Sequence, residues 1–140
     1  MKPVPDEVAA LGPPGTIWSG GRVDRTSATL RVRCAHDEHQ AVSDLLEANF
    51  VSKANHCSLV APTSLNGDLE AQLSWILTHT TPDLARWQQA KGRWPIEVFC
   101  GLFLERNNRG ITLAPEIALQ LGQRGIAIGL DIYAPDSGVA

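Results

Sequence analysis

The sequence has little charge, and it lacks long apolar runs. Charged residues make up 19% of the 140 residues, and the net charge is −3. This mildly acidic balance argues against general binding to nucleic acid or to anionic membranes, which requires clustered lysine and arginine. No run of 18 apolar residues is present, so we expect no membrane-spanning helix. The first ten residues also lack the apolar run of a signal peptide, and we therefore expect a cytoplasmic protein.

Cysteine is also scarce. The three cysteines, Cys34, Cys57 and Cys100, are odd in number and widely spaced, which disfavours a disulfide framework and favours buried thiols in a reducing compartment. A catalytic thiolate would need a nearby histidine or a helix N-terminus. Cys34 is close to His36 and Cys57 is next to His56, but neighbouring strand residues face opposite sides of a sheet. We therefore interpret the cysteines as core residues.

Recognisable catalytic motifs are absent. Gly125 and Gly129 flank a predicted strand segment, and no Lys-Ser/Thr pair follows them, so they do not form a phosphate-binding loop. His36 and His39 are the candidate metal ligands, because their spacing brings them near one face of a helix. Zinc needs three or four ligands, and an exposed helix start explains the same segment. We expect no cofactor, and the lack of a catalytic set favours a protein that is not an enzyme.

Hydrophobic periodicity predicts the order strand, helix, strand, two helices, strand, helix, strand. Residues 24–34 and 94–105 alternate as half-buried strands do, and residues 56–61 form a shorter apolar run. Apolar residues at helical spacing predict a helix at 38–48 and a helical pair between the second and third strands. The chain then predicts a helix from Pro115, ended by Gly125 in a left-handed conformation, and a strand at 126–133.

These elements predict a single α+β domain at residues 22–135, between an irregular arm (1–21) and a tail (136–140). We expect a mostly antiparallel four-stranded sheet with helices packed on one face. The order of the elements suggests a ferredoxin-like split βαβ arrangement with the helical pair inserted between its halves. In that arrangement the last strand flanks the first. Its residues Ile128, Leu130 and Ile132 are expected to pack beneath the last helix.

Residues 110–133 read G-I-T-L-A-P-E-I-A-L-Q-L-G-Q-R-G-I-A-I-G-L-D-I-Y. This segment resembles the C-terminal signature of the bacterial family called domain of unknown function 4279, with its Leu-small-Pro-Glu helix start and its Asp-Ile-Tyr strand end. A looser similarity extends over residues 26–133. Ala114 stands where family members often carry a serine, which removes a side-chain cap. The resemblance implies a fold and a cytosolic bacterial origin, and it implies no activity.

The second face of the predicted sheet carries the candidate binding site. Polar and aromatic side chains share this face, and cross-strand Arg–Asp or Arg–Glu pairs are expected there. The face can be covered by the arm or by the helical pair, can form a dimer interface, or can bind a ligand. The candidate residues are Arg31, Arg33, Glu97, Phe99, Phe103, Asp131 and Tyr133.

Two hypotheses for function follow. The first is a non-catalytic protein-interaction or oligomerising module that binds itself, as a homodimer, or another protein through its sheet face or an edge strand. The alternative is a small-molecule or metal-binding protein, or a minor enzyme, built on the polar and aromatic face or on His36 and His39.

Overall fold

The computed structural model describes residues 21–106 and 109–134. The predicted tail lies outside these ranges, as does the predicted arm apart from Gly21. The helices are α1 (His39–Leu46), α2 (Leu69–Thr78), α3 (Leu84–Arg93) and α4 (Pro115–Gln123), with 3₁₀ turns at His36–Glu38 and Thr63–Leu65. The strands are β1 (Gly21–Arg22), β2 (Arg25–Arg33), β3 (Val51–Ser52), β4 (His56–Val60), β5 (Ile96–Phe103), β6 (Arg109–Gly110) and β7 (Ala127–Tyr133).

The main sheet has five strands in the order β3-β4-β2-β5-β7. Strand β2 lies antiparallel to both β4 and β5, whereas β7 lies parallel to β5. Strands β1 and β6 form a separate parallel pair. Next to this pair, Asp24 accepts a hydrogen bond from the backbone N–H of Glu105 (2.6 Å) and forms an ion pair with Arg109 (3.3 Å).

The prediction of an α+β fold is confirmed, but the sheet has five strands rather than four and is mixed, with three antiparallel pairings and one parallel pairing, and the ferredoxin-like order is not found. The last strand, β7, flanks the third major strand, β5, instead of the first, β2. The connection through α4 carries the chain back across the sheet, as parallel neighbours require. The fifth strand is the short β3, which pairs with β4.

The core lies between the helices and one face of β2, β4 and β5. Alternate residues of the central strands point into it, so that Leu30 and its register partner Val98 are both fully buried. Trp87 of α3 is also fully buried, and its indole N–H donates to the carbonyl of Thr81 at 2.7 Å. Gln72 of α2 is also buried, and its side chain forms hydrogen bonds with Thr26 of β2.

The two helices predicted as a pair follow each other in sequence, but each has its main helix partner elsewhere. Helix α3 packs against α1, where Arg86 donates to the carbonyls of Asp44 and Leu45. Helix α2 packs against α4, where the carboxylate of Glu70 accepts a hydrogen bond from the backbone N–H of Ala114. Glu70 thus satisfies the N–H of the N-cap residue itself, and it places a negative charge at the N-terminus of α4.

Strand β7 differs most from the expected packing. Leu121 and Ile126 are buried, and Gly125 has the predicted left-handed backbone (φ 72°). The strand's apolar side chains were predicted to pack beneath α4, but they are largely exposed. Because α4 packs against α2, it leaves this edge of the sheet uncovered. The exposed fractions of Ile128, Leu130 and Ile132 are 40%, 52% and 58%.

Candidate functional site

All seven candidate residues lie on the sheet face opposite the core, which we call the polar face, but they form two separate groups. Register places Arg31, Glu97 and Ala127 in one row across the sheet and Arg25, Phe103 and Tyr133 in another. Six residues separate the rows along each strand, so the groups lie about 20 Å apart. The expected Arg–Asp pair is therefore not formed, because Asp131 belongs to the row of Gly101.

The group around Phe103 forms an aromatic end. The rings of Phe103 and Tyr133 stack with centroids 4.6 Å apart, and the guanidinium carbon of Arg25 lies 5.0 Å from the Phe103 centroid. The hydroxyl of Tyr133 donates to the carboxylate of Asp131, and this hydrogen bond raises the pKa of Tyr133. Asp131 thus has a partner on its own strand.

The group around Arg31 forms a basic end, which borders a cavity of about 330 Å³. Neighbouring strands supply its walls, since Arg31 and Arg33 come from β2, His56 from β4 and Glu97 from β5, with Asn55 just before β4. The remaining lining residues are Pro95, Ile96 and Ala127.

The two arginines of the cavity are not neutralised by carboxylates of the described residues. Ion pairs in the described ranges join Arg86 to Asp83, Arg93 to Glu38 and Arg109 to Asp24.

Arg31 is held in another way, since its guanidinium lies over the ring of Phe99 at 4.1 Å from the centroid. Glu97 is the register partner of Arg31, but its carboxylate is directed towards Gly129, where an added Cβ would lie 2.8 Å from Oε2. The glycine therefore makes room for Glu97 to lean away from Arg31.

The surroundings of His56 lower its pKa. Burial lowers the pKa of His56, and the positive charges of Arg31, Lys53 and Arg33 lower it further. Its Nδ1 lies 3.1 Å from Oδ1 of Asn55. Because the amide oxygen of Asn55 can only accept, Nδ1 of His56 donates to it, and Nε2 becomes a donor towards an anion when the ring is protonated.

The cysteines are buried, as predicted from their strand positions. The Sγ atoms of Cys34 and Cys57 lie 3.7 Å apart, a proximity that their sequence separation concealed. Burial and the neighbouring Cys34 raise the pKa of Cys57 to about 12, and burial raises the pKa of Cys100 to about 11. Protonated thiols are poor nucleophiles, so these two cysteines are unsuited to nucleophilic catalysis at neutral pH.

The histidine pair proposed as metal ligands is not part of a ligand cluster. His36 lies in a 3₁₀ turn with its Nδ1 3.1 Å from Oγ of Ser52, and His39 begins α1. Over the ranges that the structure describes, no group of three His, Cys, Asp or Glu side chains is placed to hold a metal ion.

Two features of these surfaces escaped the sequence interpretation. His56 and Asn55 join Arg31 and Arg33 because β4 flanks β2, whereas the expected order placed the last strand there. The alternation of His56 with Cys57 indicated the face of His56, but nothing local indicated its neighbours. The exposed β7 residues were missed because their alternation is the same as that of core strands.

Comparison with known proteins places the chain in a family. Residues 38–135 match the model of a family described as Domain of unknown function (DUF4279). No curated protein and no solved structure matches the chain. In the described ranges, no helix combines the length and the hydropathy needed to cross a membrane. Because the match spans more than half of the sequence and includes the segment 110–133, the chain belongs to the Domain of unknown function (DUF4279) family.

Proposed function

We propose that this protein is a non-catalytic interaction module that forms a homodimer by pairing two copies of β7. The observation that carries the proposal is the exposure of Ile128, Leu130 and Ile132 along one edge strand. Contiguous exposed apolar side chains on a sheet edge are typical of interaction surfaces. The raised pKa values of Cys57 and Cys100 support the absence of thiol catalysis.

The backbone of β7 supports pairing with another chain. Within the described sheet β7 has one neighbour, β5, so its outer edge is unpaired there. The strand is seven residues long and contains one charged residue, Asp131, with neither lysine nor proline. Monomeric proteins usually protect such edges with charge, proline, a bulge or a covering element. An unprotected edge of this length favours a permanent partner strand.

A second copy of the chain can pair with this edge about a two-fold axis. An antiparallel pair related by a two-fold axis through Leu130 places Ile128 opposite Ile132 of the partner subunit. On the other face, Asp131 then lies opposite Gly129 of the partner subunit. An axis through Asp131 would instead place two carboxylates opposite each other, which is unfavourable. The strand is therefore self-complementary about Leu130, as a closed two-fold interface requires.

The test is the mass of the full chain in solution, measured by light scattering after size-exclusion chromatography. We expect the wild type to be a dimer and Leu130→Lys to be a monomer with an unchanged circular dichroism spectrum, because two lysines would face each other at the axis. The matched control is Val60→Lys, which changes a 54% exposed aliphatic residue on β4, away from β7. This variant should stay dimeric. A monomeric wild type, or a dimeric Leu130→Lys, would contradict the proposal.

A further inference from the structure

We propose that the cavity at the basic end of the polar face binds a small ligand through a carboxylate or phosphate group, held between Arg31 and Arg33. This site lies within one chain, and its two arginines come from β2, which is separated from β7 by β5. Its volume of about 330 Å³ falls at the lower end of the range typical of small-molecule sites.

The charges of the cavity favour an anionic ligand. Arg31 and Arg33 form no ion pair with any carboxylate in the described ranges. A guanidinium offers a planar fork of N–H donors that matches a carboxylate or a phosphate. The side-chain amide of Asn55 adds neutral N–H donors to the same wall, and His56 adds a donor when its ring is protonated. Glu97 is the one acidic side chain of the lining, and its carboxylate is directed towards Gly129.

The scaffold fixes the backbone positions of these groups. Arg31 and Arg33 lie on β2, which is paired on both sides, and His56 is the register partner of Arg33 on β4. The ring of Phe99 supports the guanidinium of Arg31. The side chains of Arg33 and Asn55 are exposed and lose rotamer freedom when a ligand binds. Arg31, held over Phe99, is therefore the preorganised donor of the site.

Nuclear magnetic resonance titration can test this inference with sodium acetate and sodium phosphate, against sodium chloride at matched ionic strength. We expect saturable shifts of the Arg31, Arg33 and His56 side-chain signals with at least one oxyanion, and the two salts distinguish carboxylate from phosphate ligands. His56 lies near the positive charges of Arg31, Arg33 and Lys53 and lines the same cavity as Glu97. Bound oxyanion should also raise the pKa of His56, because a negative charge stabilises the imidazolium. Shifts that do not saturate, or that chloride reproduces, would overturn the inference.

A pair of matched variants locates the site. Arg33→Gln should weaken oxyanion binding by about tenfold, the loss expected for one charge-assisted contact. Arg25→Gln is the control, because Arg25 lies on the same strand and face but at the aromatic end. Arg31→Lys, which keeps the charge and loses the fork, should also weaken binding. Equal affinities in Arg33→Gln and Arg25→Gln would refute the assignment. The Leu130→Lys variant should bind as the wild type does, whether or not β7 forms a dimer.

Discussion

The neighbouring strands β5 and β7 carry the same apolar alternation on the same face of the sheet, and they differ sharply in burial. Val98 of β5 is fully buried, whereas its register partner Ile128 is 40% exposed. Leu102 is 5% exposed and its partner Ile132 is 58% exposed. Alternation therefore identifies which side chains share a face, but it does not determine whether a helix covers that face.

The difference arises from contacts made far from either strand. Helix α2 lies over β2 and packs against α4, and Glu70 joins the two helices through the backbone N–H of Ala114. The helix that precedes β7 in sequence is thus held beside α2. The apolar face of β7 is left available to a partner, whereas the equivalent face of β5 forms the centre of the core.

The largest expected effect comes from comparing the truncation of a leucine in the central strand β2 with the truncation of a leucine in the edge strand β7. Leu30→Ala removes a fully buried side chain of β2 and should lower the free energy of unfolding by about 2–5 kcal/mol. Leu130→Ala removes a side chain that is 52% exposed and should cost less than about 1 kcal/mol in the monomer. Urea denaturation followed by circular dichroism measures both values.

Protein concentration separates folding from association in this comparison. A dimer is stabilised by mass action. If β7 forms a dimer, the urea concentration at the midpoint of wild-type unfolding should therefore rise with protein concentration. The midpoint of Leu130→Ala should rise less than that of the wild type, whereas Leu30→Ala should keep the full dependence. Equal losses of stability for the two alanine variants at low concentration would show that β7 is as well covered as the centre.

Much of the fold could be predicted from local patterns, and the sheet order could not. The alternation of residues 94–105 placed β5 correctly, and Gly125 was correctly predicted to end the last helix with a left-handed backbone. Strand order depends on contacts between distant segments, so nothing within residues 126–133 revealed that β7 pairs with β5. The hydrogen bond from the backbone N–H of Ala114 to Glu70 spans 44 residues, which local reasoning cannot anticipate.

The candidate site was predicted only in part, because its composition also depends on strand order and register. Period-two alternation correctly placed Arg31, Glu97 and Tyr133 on one face. The distance between the basic and aromatic ends follows from register, which the sequence did not reveal. His56 entered the site only because β4 pairs with β2 and brings it beside Arg33.

A second prediction concerns the buried hydrogen bonds between α2 and the central strand β2. The hydroxyl of Thr26 donates to Oε1 of Gln72 at 2.7 Å, and Nε2 of Gln72 donates to the carbonyl of Thr26 at 3.1 Å. Gln72→Leu leaves both groups of Thr26 without these partners and should cost about 1–3 kcal/mol of unfolding free energy. Thermal denaturation measures the loss.

The control for this contact is Gln89→Leu, which makes the same chemical change at an exposed position of α3. It should alter the free energy of unfolding by less than about 0.5 kcal/mol. If the two leucine variants were equally stable, the buried hydrogen bonds between Thr26 and Gln72 would not contribute to the stability of the fold.

The smallest expected effect tests the contact that holds α4 beside α2. Glu70→Ala removes both the acceptor and the negative charge at the N-terminus of α4 and should cost about 0.5–2 kcal/mol, as loss of a helix cap does. Glu70→Gln keeps a carbonyl acceptor and loses the charge, so its cost should be about 0.3–1 kcal/mol, the usual contribution of a charge at a helix end. Urea denaturation measures both variants, and added salt should narrow the difference between wild type and Glu70→Gln. In the double variant Glu70→Ala, Ala114→Ser, the serine supplies the cap that Ala114 lacks and should restore part of the stability. If Glu70→Ala were as stable as the wild type, the carboxylate would not stabilise the start of α4, and the position of α4 beside α2 would need another cause.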